Sequence, residues 1–108
     1  MCAENVISDA TLDALVVAIC ADYKRRSALI DAGVASRRTD TELRYLNYQL
    51  LTAAAEIVGD SQSEIYIHEI GARIGYAYSA LDSVSETTYK NHKKLIKRQI
   101  ARKLHLCD

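Results

Sequence analysis

The stretch Ser83–Leu106, SVSETTYKNHKKLIKRQIARKLHL, holds seven Lys or Arg and one acid in a chain of formal net charge zero. Placed on a helical wheel at 100° per residue, Tyr89, Leu95, Ile96, Ile100, Leu104 and Leu106 fall on one arc, with His92, Gln99 and Lys103 among them. Lys90, Lys94, Lys97, Arg98 and Arg102 fall on the other side, and Lys93 falls at about 40° from Tyr89, at the edge of the apolar arc, so the six span roughly 40° to 220°. The segment therefore reads as a helix over about 85–106 with a core face and a continuous basic face. Ser85 is a suitable N-cap, and Glu86 suits the positive end of the helix dipole.

Charge along the whole chain is polarised in the same way. Residues 1–84 carry seven basic and twelve acidic side chains, net −5, and residues 85–108 carry seven basic and two acidic, net +5. Such asymmetry points to a polyanion partner. The competing reading is a solvated lysine face paired with acids on neighbouring helices.

Working outward, the remainder also reads as helix. The 108 residues include no proline and four glycines, and all aromatic content is seven tyrosines. A first helix is expected over about 8–31, capped by Ser8 or Asp9. Leu12, Leu15, Val16, Ile19, Tyr23 and Ile30 recur at helical spacing, and Gly33 is the stop. Thr39 and Glu42 form a capping-box pattern that opens a second helix over about 39–58. Its apolar face is Leu43, Leu46, Leu50, Ala53, Ala54 and Ile57. A third helix is expected over about 63–81 on Ile67, Ile70, Ile74, Ala77 and Leu81. Gly71 and Gly75 interrupt that stripe, and each costs about 1 kcal/mol against Ala in a helix interior. A break near Gly75 or close helix packing accommodates them. The fold class is thus all-α: one domain, 1–108, a compact bundle of four to five helices.

Other chemistry is sparse. The longest apolar run, Ala14–Ala21, is far shorter than the roughly 18 residues of a membrane span. The N-terminus lacks the basic region of a signal peptide, so a cytoplasmic location is expected. Cys2, Cys20 and Cys107 are then expected as free thiols, Cys20 in the core. His105 and Cys107 do not complete a four-ligand metal site. His68 and Glu69 are adjacent and point about 100° apart on a helix, so they form no catalytic dyad. Neither an enzyme nor a cofactor or small-molecule substrate is indicated. Arg37 and Arg38, near Arg44, form either a secondary phosphate patch or a loop paired to Asp40 and Glu42.

The segment before the basic helix sharpens the expectation. A helix-turn-helix needs a scaffold helix, a tight turn with an apolar residue, and a Ser or Thr opening the recognition helix. Ile74, Ala77 and Leu81 supply the scaffold face, Val84 the turn residue and Ser85 the cap. VSETTYKNHKKLI resembles the recognition segment of response-regulator-type domains and of sigma-factor region 4. The pattern SETTYK…IxxxIAxxL resembles small phage-type transcription regulators of the ArpU/RinA kind, over about residues 67–106. The resemblance implies a C-terminal helix-turn-helix and a sequence-specific regulator bound to double-stranded DNA. By position, Glu86, Thr87, Lys90, Asn91 and Lys94 then approach base edges, while Lys93, Lys97, Arg98 and Arg102 meet phosphates. The N-terminal helices would brace this unit, and helix one has apolar residues enough for a core and a homodimer interface. The alternative from another class is a helical adaptor of phage or mobile-element type. It would present the basic face to an acidic protein surface without binding DNA.

Overall fold

The computed structural model describes residues 9–81 and 83–107. Its elements are α1 (Asp9–Ala21), α2 (Tyr23–Ala32), α3 (Arg37–Val58), α4 (Asp60–Gly71), a 3₁₀ turn (Tyr76–Tyr78) and α5 (Glu86–Lys103). The all-α expectation is met. The molecule measures 42 × 35 × 20 Å, and the short dimension is about two helix layers.

α3 is the hub. It packs on α4, α5 and α2, while α1 packs on α4 and α5. The core between them is Leu12, Val16, Leu50, Ala53, Ala54, Tyr66, Ile67, Ile70, Tyr89, Ile96 and Ile100. The apolar stripes of α3 and α5 supply Leu50, Ala53, Ala54, Tyr89, Ile96 and Ile100 at the spacing read from the sequence, and α1 and α4 supply the others. Leu15 departs from the expected core face and is exposed.

Several boundaries differ from the expected ones. The first helix divides at Asp22, whose carboxylate binds the guanidinium groups of Arg25 and Arg26. Its expected start at Ser8 lies outside the described residues. Gly33 ends α2 with φ 66°, as its permissive backbone suggested. α3 opens at Arg37 rather than Thr39, because Ser36 is the cap and its Oγ accepts the Thr39 amide at 3.3 Å. The third helix starts at Asp60 and stops at Gly71, ten residues before Leu81. At Gly71 a Cβ would lie 2.6 Å from the Ala21 backbone nitrogen, so the expected close helix approach is made here and not at Gly75. Arg73 then takes φ 55°, which turns the chain away from the helix axis.

The thiols differ too. Cys20 is free and buried as expected, and its burial pushes the thiol up to about 12. Cys107 is disulfide-bonded, which corrects the expectation of free thiols throughout. Cys2 lies outside the described residues. Among the described residues no helix is long and apolar enough to cross a membrane.

Candidate nucleic-acid interface

α5 is built as the sequence suggests. Ser85 Oγ accepts the Thr88 amide at 3.2 Å and donates to Thr88 Oγ1 at 3.0 Å. Tyr89, Ile96, Ile100 and Ala101 are buried. His92 Nδ1 lies 3.0 Å from the Tyr66 hydroxyl, which explains an imidazole on the inward arc.

The connection into α5 is not the tight turn that was expected. Residues 72–85 join α4 to α5, and among those described the 3₁₀ turn is the only regular structure; Asp82 lies outside the described residues. Ile74, Ala77 and Leu81 therefore do not form one scaffold-helix face. Leu81 is buried, Ile74 is half-buried and Ala77 is exposed. The physical reason is Glu69. Its Oε1 accepts Ser79 Oγ at 2.6 Å and Tyr89 Oη at 2.7 Å, and its Oε2 accepts the Ala80 amide at 2.8 Å. Those donors hold the chain in a non-helical path. Tyr76 adds a bond from its hydroxyl to the Val84 carbonyl at 2.7 Å.

The basic residues divide into two groups. Lys93, Lys97 and Lys103 are used internally. Lys93 Nζ donates to the Ile74 carbonyl at 2.8 Å and stands 4.9 Å from the Tyr89 ring centroid. Burial, with Lys97 nearby, lowers its pKa. Lys97 bridges to Asp13 of α1 at 2.7 Å, and Lys103 to Glu56 of α3 at 3.1 Å. Lys93 and Lys97, expected at phosphates, would each first have to leave its partner to reach one.

Lys90, Lys94, Arg98 and Arg102 form the second group, each four residues beyond the last. Four residues advance a helix by about 6 Å and return nearly to the same face, so the four cations make one stripe. Lys90, Lys94 and Arg102 are exposed and Arg98 is half-buried. Lys90 meets Glu86 at 2.8 Å, an exposed pair that contributes little. Thr87 and Asn91 are exposed beside the stripe. Along one edge, Lys94 and Arg98 border a groove of about 200 Å³ floored by Leu12, Val16 and Ala101 and closed by Asp9 and Asp13.

Arg37 and Arg38 stand exposed at the start of α3, with Arg38 3.5 Å from Glu42. Glu56 touches Gln99 and Lys103 near the other end of α3, so about 28 Å of helix separates Arg37 from that contact. The secondary patch thus does not join the C-terminal part of the α5 stripe. His68 is exposed, and among the described residues no group of three ligating side chains is placed to hold a metal.

Sequence reading missed the Glu69 clamp and the pairing of Lys97 and Lys103. Glu69 joins residues ten to twenty positions away, so no local spacing signals it. The excess of acids over residues 1–84 was the one available hint that some lysines would be neutralised at home. No family model, no curated protein and no solved structure matches the chain.

Proposed function

We propose that the protein binds double-stranded DNA along the outward face of α5 and acts there as a transcription regulator. The observation that carries this is the stripe Lys90, Lys94, Arg98 and Arg102, set on a helix whose other side is locked into the core. A rigid helix with cations on one side fits a major groove about 12 Å wide. Cations in that position meet phosphates and set register, while Thr87 and Asn91 are the polar side chains available for base edges.

The test is binding to a duplex selected from a random pool, followed by anisotropy titration. Lys94→Ala with Arg98→Ala should weaken binding at least tenfold without changing the circular dichroism spectrum. Unchanged affinity overturns the assignment.

A second reading has its own support. The long clamped connection before α5 departs from the tight turn of DNA readers, and three lysines are paired internally. An adaptor that offers the same stripe to an acidic protein surface fits those facts. Retention on nonspecific duplex DNA at about 50 mM salt separates the two, because phosphate binding survives there. Loss of retention favours the adaptor.

A further inference from the structure

α3 leaves one long face uncovered. Leu43, Asn47, Leu50, Ala53 and Ala54 turn inward. Thr41, Tyr45, Tyr48 and Thr52 follow one another at steps of four, three and four on the opposite side. Tyr45 is 49% exposed and Tyr48 65% exposed. Large apolar or aromatic residues exposed among the described residues are Leu15, Val34, Tyr45, Tyr48 and Tyr78, and three of these lie on α3 or the turn leading into it. Tyrosine is a preferred anchor of protein interfaces.

The charges at the two ends of this face are opposite. Exposed Arg37 and Arg38 open α3, while exposed Glu56 and Asp60 stand at its far end. The tyrosine–threonine band lies between them.

We propose that this face is the contact between two copies of the chain, with the two α3 helices antiparallel about a two-fold axis between Tyr45 and Tyr48. Positions equidistant from that axis then meet. Tyr45 faces the second copy's Tyr48, and Thr41 its Thr52. Arg37 faces its Glu56, whose two oxygens already accept from Gln99 and Lys103, and reaches Asp60 with the same long side chain. Symmetry makes each contact twice, as an isologous interface requires. A parallel arrangement would bring like charges together. Val34, just before α3, is carried toward an open hollow of about 680 Å³ on the second copy, whose lining includes Tyr48, Leu51, Ala55 and Asp60.

Charge selects this occupant over others. A polyanion would be repelled by Asp60, and a basic partner by Arg37 and Arg38. A second copy offers each end its opposite. The expected use of helix one as the interface has less behind it, since α1 exposes only Leu15 among its large apolar residues. A helix face about 33 Å long and 10–12 Å wide is about half the ~800 Å² per partner of a standard interface. The dimer is therefore weak, with a Kd on the order of tens of micromolar. This inference is independent of DNA binding, because it concerns a different surface.

Sedimentation equilibrium on the full chain tests it. The wild type should shift from monomer to dimer with concentration, and Tyr48→Asp should weaken the dimer at least tenfold. Arg37→Glu with Arg38→Glu in one protein, and Glu56→Lys with Asp60→Lys in another, should each give monomers. Mixed one to one, they should dimerise, because every end then meets its opposite. Circular dichroism and thermal melts of each variant keep loss of folding separate from loss of contact. A wild type that stays monomeric at about 300 µM, well above that Kd, overturns the proposal and assigns the face to another partner. So does a dimer indifferent to Tyr48→Asp, or a mixture that does not associate.

Discussion

The Tyr89 hydroxyl donates to Glu69 Oε1 at 2.7 Å, joining α5 to α4 across a core in which the Glu69 residue is 2% exposed. The same hydroxyl lies 3.1 Å from the Ile74 carbonyl. With Ser79 and Ala80 also donating, the carboxylate organises the whole passage from α4 into α5. A buried charge is tolerated when its oxygens are satisfied in this way. Among the described residues no buried side-chain polar atom lacks a partner.

Replacing Glu69 by Gln should therefore be severe. The amide keeps the shape but turns one acceptor into a donor that faces hydroxyl and amide donors. A loss of about 2–4 kcal/mol is expected in urea unfolding. Tyr89→Phe removes one donor and leaves the other two, so about 1–2 kcal/mol is expected. If Glu69→Gln unfolds at the wild-type urea midpoint, the clamp does not hold the connection.

The clamp also fixes a pH dependence. Burial tends to raise the Glu69 pKa, but the bonds from Ser79, the Ala80 amide and Tyr89, with the Lys93 charge, outweigh it and hold the group below its ordinary 4.5. A folded pKa below the unfolded one gives stability that is present above 4.5 and lost as pH falls from there through the folded value. The difference in melting temperature between wild type and Glu69→Gln should thus be constant near neutrality and narrow below pH 4.5. Asp22 and Glu56 are also held low, by Arg25 and by Gln99 with Lys103, but they are common to both proteins and cancel in the difference. A gap that does not narrow would mean that Glu69 is not ionised in the fold. Tyr89, pushed up to about 12 by burial and by its bond to Glu69, does not titrate in this range.

What was legible in the sequence was whatever repeats at helical spacing. Leu50, Ala53 and Ala54 on α3, and Tyr89, Ile96 and Ile100 on α5, were placed correctly because burial selects one face over several turns. The Ser85 cap and the Gly33 stop were legible because each rests on one local bond or one backbone angle. The end of α4 was not. The stripe from Ile67 to Leu81 continues at helical spacing, yet a buried carboxylate and a backbone contact at Gly71 overrule it, and both depend on residues far along the chain. The α5 stripe was legible as a face, while the partners of Lys93, Lys97 and Lys103 lie on other elements.

The two glycines of IGARIG should separate cleanly. At Gly71 a Cβ would sit 2.6 Å from Ala21 N and 2.7 Å from Ala21 Cα, both backbone atoms that cannot swing aside. Gly71→Ala should cost about 2–3 kcal/mol by forcing α1 and α4 apart. At Gly75 nothing lies within 4 Å and φ is −82°, so Ala fits. Gly75→Ala should be neutral or stabilising by up to about 1 kcal/mol through the unfolded chain. Thermal melts of the two variants decide it, and equal effects would contradict the packing.

Arg26 looks like one more surface cation in YKRRS but is 3% exposed. Its Nε donates to Asn47 Oδ1 at 2.6 Å, Nη1 to Asp22 at 3.1 Å and Nη2 to the Ile19 carbonyl at 2.7 Å. Asn47 in turn donates to Ser27 Oγ at 3.0 Å. Asn47→Ala leaves a buried guanidinium short of an acceptor and should cost about 3 kcal/mol. Arg26→Met removes the charge with the need for partners and should cost less than Asn47→Ala. Denaturant midpoints rank the two, and the reverse order would mean that the network itself, rather than the stranded charge, sets the energy.

The salt dependence of DNA binding distinguishes a stripe from a whole basic helix. Each phosphate neutralised contributes about −0.9 to the slope of log K against log salt. If all seven cations of α5 were used, the slope would approach about −6. Lys93, Lys97 and Lys103 are held by Ile74, Asp13 and Glu56, and breaking those contacts would offset what a phosphate gives back. Lys90, Lys94 and Arg98 of the stripe offer about three contacts, hence a slope near −2.7. Lys94→Ala should then lessen the slope by about 0.9, whereas Lys93→Ala should lower the melting temperature and leave the slope alone. Anisotropy titrations of one duplex between about 50 and 200 mM salt measure both, over the range where such contacts govern affinity. A Lys93→Ala protein with a shallower slope would show that this lysine leaves Ile74 to reach the DNA, and that the internal contacts of α5 yield when a phosphate is near.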